Sequence, residues 1–249
     1  MANFVLVHGA WHGGWCWQRV TRALQQQGHR VHAVTLTGLG ERAHMLSASI
    51  TLDTHIDDVL NLIEAEELDN VVLAVHSYAG MIGTAVADRL GQRLKHLVYV
   101  DAVLPKPGES WSSTQSSATQ QQRLAAARAS PHFSFPPPDP VVFGLQDADH
   151  EWVRRRQTPH PGNTYQAPLQ FDVQRVAAVR RSFVSCTQPA LATIAPSRLR
   201  ARDPLFWNGA WLPNAQYIEL PTGHDPMISE PAALVQLLLD SSAQADAAP

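Results

Sequence analysis

Residues 71–80 read VVLAVHSYAG, and this stretch decides the fold. Residues 71–75 form a continuous apolar run, which is typical of a strand buried on both faces of a parallel sheet. Residues 79–90, rich in small side chains, then predict a helix. Ser77 therefore falls on a tight strand-to-helix turn, where the amides that follow it lie at the positive end of the helix. We interpret Ser77 as a candidate nucleophile.

The turn departs from the usual pattern G-x-S-x-G, because Val75 and Ala79 occupy the two glycine positions and Gly80 comes one place late. Small residues are needed there because a sharp turn brings the flanking positions close together. Alanine fits this requirement, whereas valine is a real departure. A serine that only caps the helix is the alternative interpretation of Ser77.

Strands and helices alternate on both sides of this turn. We predict strands over residues 4–7, 31–36, 71–75, 97–100, 183–186 and 216–220, and helices over residues 15–27, 54–65, 79–90 and 231–239. Asp53 or Thr54 is expected to cap the second helix. The alternation predicts an α/β fold with a doubly wound, mainly parallel six-stranded sheet, whose ligands bind at the carboxyl ends of the strands.

The middle of the chain breaks this rhythm. Residues 112–122 are polar, prolines occupy positions 136–138, and a segment rich in Trp and Arg follows. A loop of this length is unusual inside a compact domain. We therefore predict a mostly helical cap over residues 105–181, inserted into a core made of residues 1–104 and 182–242. Residues 243–249 are expected to be a frayed tail.

The first predicted strand leads into HGAWHGGW, residues 8–15. An oxyanion hole needs one N–H group after the nucleophile and one from this first loop, so Tyr78 and Ala10 are the candidate donors. A glycine-rich turn with aromatic packing is the alternative. His8 and His12 lie in this loop rather than on a helix, and no HExxH pattern is present, so we predict no metal site.

His224 follows the last predicted strand, the place of the histidine in the chain order Ser…Asp…His. An imidazole there can take the serine proton and return it to the leaving group. The penultimate strand ends without a carboxylate, whereas Asp101 ends the strand after the nucleophile helix. We favour Asp101 as the partner that orients His224, and Asp203 and Asp225 are the alternatives.

Three stretches resemble the α/β-hydrolase superfamily, and more closely its group of plant methylesterases (salicylic-acid-binding type), hydroxynitrile lyases and related bacterial carboxylesterases. They are residues 5–17, residues 76–80 and residues 223–227. The resemblance implies a serine hydrolase in which Ser77 is the nucleophile, His224 the base, and Ala10 and Tyr78 the oxyanion donors. In the plant members the acid follows Cys-Thr-x, a position that Pro189 fills here, and relocation of the acid to the preceding strand is known in the superfamily.

Two other functions are carried as alternatives. Similar plant lyases use a threonine in the first loop and a lysine directly after the catalytic histidine, whereas this chain has Gly9 and Asp225. A carboxylate would repel cyanide, which favours an esterase over a lyase. A non-catalytic small-molecule receptor on the same fold is the other alternative, supported by Val75 and by the missing acid at Pro189.

Composition narrows the class of partner. Apolar residues make up 45% of the chain, charged residues 16%, and the net charge is −3, so a substantial core is expected and a nucleic-acid partner is not. We predict a cytoplasmic protein with no membrane partner and no cofactor, and leave a homodimer open. The expected substrate is a small hydrophobic or aromatic ester in a pocket formed by aromatic residues and one glycine: Gly9, Trp11, Trp111, Phe133 and Trp152.

Overall fold

The computed structural model describes residues 1–244 of the chain. Within this range there are eight strands: β1 (Asn3–Val7), β2 (Arg30–Val34), β3 (Val71–His76), β4 (Leu94–Val100), β5 (Ser134–Phe135), β6 (His160–Pro161), β7 (Arg181–Cys186) and β8 (Ala215–Leu220).

The α-helices fall between and after these strands. They are α1 (Gln18–Gln26), α2 (Leu52–Ala65), α3 (Gly80–Leu90), α4 (Ser117–Ala129), α5 (Asp147–Arg154), α6 (Asn163–Gln166), α7 (Val173–Ala178), α8 (Ala195–Arg202), α9 (Pro226–Ser229) and α10 (Pro231–Gln244).

Six strands form one sheet in the order β2-β1-β3-β4-β7-β8, and every neighbouring pair is parallel. The predicted six-stranded parallel sheet is therefore confirmed. Every residue of β3 is buried, as expected for a central strand covered by helices on both faces. Because all six strands run the same way, their carboxyl ends meet at one edge of the sheet, where the candidate site lies.

Several boundaries differ from those that the sequence predicts. Strand β2 ends at Val34, before the predicted end at residue 36. Helix α2 begins at Leu52, and its cap is Thr51, whose side chain accepts a hydrogen bond from the Thr54 amide. Neither Asp53 nor Thr54 is therefore the cap, because both lie within the first turn.

The carboxyl-terminal helix is longer than predicted. Helix α10 extends to Gln244 instead of ending near residue 239, so residues 243 and 244 are helical. The Ser241 hydroxyl donates to the Leu237 carbonyl within this helix. The rest of the predicted tail, residues 245–249, lies outside the described residues.

Residues 105–181 contain four helices, α4 to α7, and a two-stranded ribbon of β5 and β6. This segment is tied to the first loop, since the Thr158 amide donates to the Trp11 carbonyl over 3.0 Å. The division of the chain into a core and a cap stays a prediction. In the described part of the chain, no helix combines the length and the apolar character that a membrane span requires.

Candidate active site

Ser77 stands at the carboxyl end of β3 with a φ of 54°, in the left-handed region. A single 3-10 turn, Ser77–Ala79, joins the strand to α3. The turn packs closely against the first loop, because a Cβ on Gly9 would lie 2.7 Å from the Ser77 Cβ. Residues other than glycine are strained in this conformation. Such strain is typical of a nucleophilic serine on the sharp strand-to-helix turn called the nucleophile elbow.

The valine at position 75 is accommodated by a glycine on the facing helix. A Cβ on Gly83 of α3 would stand 2.8 Å from both methyl groups of Val75. The space that a glycine on the strand normally provides is therefore provided by a glycine on the helix. This pairing explains how the elbow forms although the pattern around Ser77 is imperfect.

A close approach of the backbone requires glycine at position 80. A Cβ there would lie 1.9 Å from the Val103 carbonyl oxygen, which no side chain allows. The Val103 amide donates to the Ser77 carbonyl over 2.9 Å, so the segment after β4 lies directly against the turn. The late glycine thus lets the start of α3 and the end of β4 approach each other.

Three side chains from separate strand ends form one hydrogen-bonded chain. His224 Nδ1 lies 2.7 Å from Asp101 Oδ2, and His224 Nε2 lies 3.0 Å from Ser77 Oγ. A carboxylate only accepts hydrogen bonds, so Nδ1 carries the proton and Nε2 accepts from the serine hydroxyl. Ser77 retains 9% exposure, whereas His224 retains 2% and Asp101 none. The arrangement can remove a proton from Ser77.

Asp101 is held from a second side as well. Arg198 on α8 donates from Nη2 to both carboxylate oxygens at 2.8 Å, and the Cys186 amide donates to Oδ1 at 3.2 Å. Of the two alternative acids, Asp203 is exposed and accepts from the Leu205 amide. These contacts leave Asp101 as the carboxylate that contacts the ring of His224.

The loop that carries His224 rests on the segment before α5. The His224 amide donates to the Phe143 carbonyl over 2.8 Å. A Cβ on Gly223 would lie 2.3 Å from that same oxygen, so only glycine permits this approach. The imidazole is therefore positioned by backbone contacts on one side and by Asp101 on the other.

Asp225, the other alternative acid, is buried against two different histidines. Its Oδ2 lies 3.2 Å from His12 Nε2, and its Oδ1 lies 3.5 Å from His76 Nε2. The His12 Nδ1 also donates to the Ala10 carbonyl at 2.7 Å, so both nitrogens of His12 act as donors. Despite burial, the Asp225 charge and hydrogen bond raise the pKa of His12, and the His12 charge helps to lower the pKa of Asp225 to about 2. The pair fastens the first loop to the His224 loop.

Within the described residues, one trio has the mutual spacing of metal ligands: His76, His224 and Asp225, with candidate atoms within 4.8 Å of one another. Both ring nitrogens of His224 already have partners in Asp101 and Ser77. His76 Nε2 lies 2.9 Å from the His224 carbonyl, which can only accept, so it donates there. The donor set thus forms a hydrogen-bonded histidine cluster, and we assign no metal to it.

The two predicted oxyanion donors flank Ser77. Tyr78 belongs to the first turn after the strand, where backbone N–H groups have no partner inside the helix. Ala10 is 2% exposed and lies on the first loop that packs against Ser77 through Gly9. Two amides converging on the serine suit an anion that forms on a carbonyl oxygen. The assignment of Ala10 and Tyr78 to this role stays a prediction.

A cavity of about 400 Å³ opens above Ser77 and His224. Among the predicted pocket residues, Trp11 and Trp111 line it, whereas Gly9, Phe133 and Trp152 do not. Gly9 is packed behind Ser77, Phe133 lies against Gly162, and Trp152 packs edge-on against Trp15. The wall also includes two further aromatic residues of the segment over residues 105–181, Phe135 and Phe143. It is completed by apolar and neutral polar residues that no sequence pattern indicated: Val142, Leu191, Ile194, Thr119, Gln122 and Thr193.

Two arginines at this site escape prediction from the sequence. Arg198 is separated from Asp101 by 97 positions, and Arg123 on α4 lines the cavity with no distinguishing motif around it. Their contacts depend on how helices α4 and α8 pack over the strand ends, and no local sequence pattern specifies that packing. The only sequence signal was the absence of a carboxylate after β7, which pointed to Asp101 but not to its partner.

Comparison with known proteins adds relatives of known class. The model of the family described as "Alpha/beta hydrolase family" matches residues 4–237. A carbendazim hydrolyzing esterase from Nocardioides sp. (strain SG-4G) is 40% identical over 248 residues, covering 96% of this chain and 98% of that protein. Methylesterase 7 from Arabidopsis thaliana is 26% identical over 258 residues, covering 96% and 95% of the two chains.

Solved structures are similar over nearly the whole length. An extracellular alpha/beta-hydrolase from a Paenibacillus species superposes with a TM-score of 0.79 at 20% identity, covering 97% of this chain and 99% of that one. The methylesterase MES16 from Arabidopsis superposes with a TM-score of 0.76, also at 20% identity, with coverages of 98% and 100%. At this level of identity, both likenesses bear on the fold alone.

Proposed function

The chain belongs to the alpha/beta hydrolase family, and from that premise we propose that it cleaves carboxylic esters by two-step acyl transfer on Ser77. The predicted resemblance to the methylesterase group is confirmed, and the chain is a carboxylesterase-type hydrolase. The observation that carries the serine mechanism is the hydrogen-bonded chain from Ser77 Oγ through His224 to Asp101.

In the first step Ser77 Oγ attacks the ester carbonyl carbon while its proton passes to His224 Nε2. The carbonyl oxygen becomes an oxyanion that accepts hydrogen bonds from the amides of Ala10 and Tyr78. The bond to the alcohol oxygen then breaks, and His224 returns its proton to that oxygen. An acyl group remains on Ser77, and the alcohol leaves.

In the second step a water molecule takes the place of the alcohol. His224 removes a proton from the water as the water oxygen attacks the acyl carbonyl, and the same two amides hold the oxyanion. Collapse breaks the bond to Ser77 Oγ, which regains its proton from His224, and the carboxylic acid leaves. Asp101 keeps Nδ1 protonated throughout and stabilises the imidazolium that forms.

A small hydrophobic or aromatic ester suits the cavity. Its volume of about 400 Å³ lies in the usual range for small ligands, and Trp11, Trp111, Phe135 and Phe143 contribute aromatic rings to its wall. The names of a carbendazim hydrolyzing esterase and a methylesterase among the relatives support cleavage of an ester, and the aromatic wall of the cavity supports the hydrophobic or aromatic character of the substrate.

The test is a panel of p-nitrophenyl and methyl esters with varied acyl and alcohol portions, assayed on the wild type, Ser77→Ala and Ser185→Ala. Ser185 is a buried serine on β7 whose hydroxyl has no hydrogen-bond partner, so its removal is a matched control. We expect Ser77→Ala to lose at least about 10³-fold in kcat and Ser185→Ala to stay near the wild type. Full hydrolysis by Ser77→Ala would refute the proposal.

Labelling with a fluorophosphonate, read by intact mass, separates the other functions. A serine hydrolase gains one adduct that Ser77→Ala lacks, whereas a non-catalytic receptor gains none. A lyase would instead release aldehyde and cyanide from a cyanohydrin. The Asp225 carboxylate, buried against His12, puts a negative charge after His224 in place of the lysine of similar plant lyases, which disfavours that reaction.

A further inference from the structure

Arg123 brings a positive charge to the wall of the cavity that holds Ser77. Its side chain reaches from α4 into a ring of four aromatic side chains, with the guanidinium carbon 4.8 to 5.8 Å from the ring centroids. These rings belong to Trp11, Trp111, Phe135 and Tyr165. All four are buried, so the charge stands in an environment with little water.

No carboxylate in the described part of the chain lies within ion-pair distance of this guanidinium. Its Nη1 atom is inaccessible to solvent and lacks a hydrogen-bond partner. Burial lowers the pKa of Arg123, an effect that the adjacent Tyr165 partly offsets. A guanidinium stays protonated in proteins, so the buried charge persists and the cost of its desolvation is not repaid by an acid.

The aromatic rings compensate this charge only in part. An aromatic ring attracts a cation that lies over its face. The N–H groups of a guanidinium, in contrast, point outward within the plane of the guanidinium itself. The rings therefore leave the hydrogen-bonding capacity of Nη1 unsatisfied, in a side chain that lines the cavity. The other polar residues that line the cavity are neutral or belong to the Ser77–His224 pair: Thr119, Gln122 and Thr193, with Ser77 and His224. Among the residues that line the cavity, Arg123 is thus the one with a permanent positive charge.

We infer that Arg123 forms an anion subsite, and that the preferred substrates are esters carrying a second, ionised carboxylate, as in half-esters of dicarboxylic acids. This inference rests on the proposed function, because it places the ester bond at Ser77 and the free carboxylate at Arg123. A carboxylate presents two oxygens that match two guanidinium N–H groups in one plane. The apolar wall then holds the carbon skeleton between the two ends.

The first experiment compares half-esters with their neutral diesters, for example monomethyl and dimethyl esters of benzene dicarboxylic acids and of aliphatic diacids of increasing length. We expect the wild type to prefer a half-ester whose length spans the two groups. In Arg123→Met the kcat/KM for that half-ester should fall about 10- to 100-fold through a higher KM, while the neutral diester changes less than about threefold.

Two further variants keep the result interpretable. Arg128 lies on the same helix with an exposed side chain, so Arg128→Met is the matched control and should retain the wild-type preference. Arg123→Lys retains the charge without the paired donors and should retain part of the preference, which serves if Arg123→Met folds poorly. An equal fall on half-ester and diester in both Arg123 variants would show a packing role and overturn the inference.

A binding measurement separates this inference from the esterase mechanism. Calorimetry of benzene dicarboxylate on Ser77→Ala should show binding that is lost in the Ser77→Ala, Arg123→Met double variant. Arg123-dependent binding with Ser77-independent hydrolysis would retain the subsite and refute the serine mechanism. Ser77-dependent hydrolysis without Arg123-dependent binding would do the reverse.

Discussion

His224 Nδ1 contacts Asp101 Oδ2 over 2.7 Å, across a sequence separation of 123 residues. The contact joins the loop after β8 to the end of β4, although β7 lies between these strands in the sheet. Asp101 reaches across because its own φ of 43° turns the chain at the strand end. The carboxylate that contacts His224 thus follows the strand next to the one that carries Ser77.

Replacing Asp101 with asparagine should lower kcat about 10⁴-fold with little change in KM, because an amide no longer fixes the tautomer of His224 or stabilises its imidazolium. Steady-state kinetics on a p-nitrophenyl ester give the value, and circular dichroism checks that the variant folds. Asp203→Asn is the control, since that carboxylate is exposed and bonds only the nearby Leu205 amide among the described contacts. Equal activity in all three proteins would contradict the role of Asp101.

The pairing of Val75 with Gly83 predicts a coupled effect on stability. Gly83→Ala places a methyl group 2.8 Å from both Val75 methyls and should lower the free energy of unfolding by about 1–3 kcal/mol through overpacking. Adding Val75→Ala removes the clash, so the double variant should be less destabilised than the sum of the single variants. Urea denaturation of the four proteins completes the cycle, and strictly additive effects would argue against this packing.

The buried pair of His12 and Asp225 predicts a large effect from a conservative change. Asp225→Asn leaves the His12 charge without its partner and should cost about 3–5 kcal/mol, whereas Asp149→Asn on the surface should cost less than about 1 kcal/mol. The Asp225 pKa of about 2 lies below the ordinary aspartate value of 3.8, so its contribution to stability is present above pH 3.8 and is lost as the pH falls toward 2. Chemical denaturation at pH 7 and pH 3 should therefore show a smaller difference between wild type and variant at the lower pH.

His96 on β4 predicts part of the acid sensitivity. Burial, aided by the charges of Arg180 and Arg181, lowers its pKa from 6.5 to about 4. In the unfolded chain this histidine binds a proton below about pH 6.5, whereas in the folded protein it binds one only near pH 4. Protonation therefore favours the unfolded chain, and the free energy of unfolding falls as the pH drops from 6.5 to 4. His96→Gln cannot titrate and should lose about 2 kcal/mol less than the wild type between pH 7 and pH 5. Parallel stability curves for the two proteins would contradict this.

The sheet could be predicted from the sequence because its signal is local. The central strands β1 and β3 are apolar runs followed by a turn residue, as strands buried on both faces of a parallel sheet require. The edge strands β2 and β8 are more polar and more exposed, and they are placed by the alternation with helices. The ends of helices were less predictable. Thr51 caps α2 because its side chain and that of Thr54 form reciprocal hydrogen bonds with each other's backbone amides, whereas residue type alone makes Asp53 an equally good cap. Likewise α10 continues through small polar residues because Ser241 is buried and bonds within the helix.

The residues of the candidate site also differ in how far local sequence signals could predict them. Ser77 and His224 could be placed because each directly follows a predicted strand, and Asp101 because the usual acid position holds Pro189. Phe133 and Trp152 could not be excluded from the pocket, since aromatic residues in a segment of short helices carry no sign of which side they face. Arg123 and Arg198 became visible only once α4 and α8 lay over the strand ends.

The absence of an acid after β7 has a consequence for how this enzyme can diversify. The segment after that strand contributes Leu191, Thr193 and Ile194 to the cavity wall, while Asp101, the carboxylate that contacts His224, directly follows β4. A loop that supplies the wall but no reacting group can change the side chains that face the cavity without replacing a reacting group, as long as the Leu191 carbonyl still accepts from Arg198. Exchanging this loop between relatives is therefore the natural route to new ester preferences, with the reacting groups inherited intact.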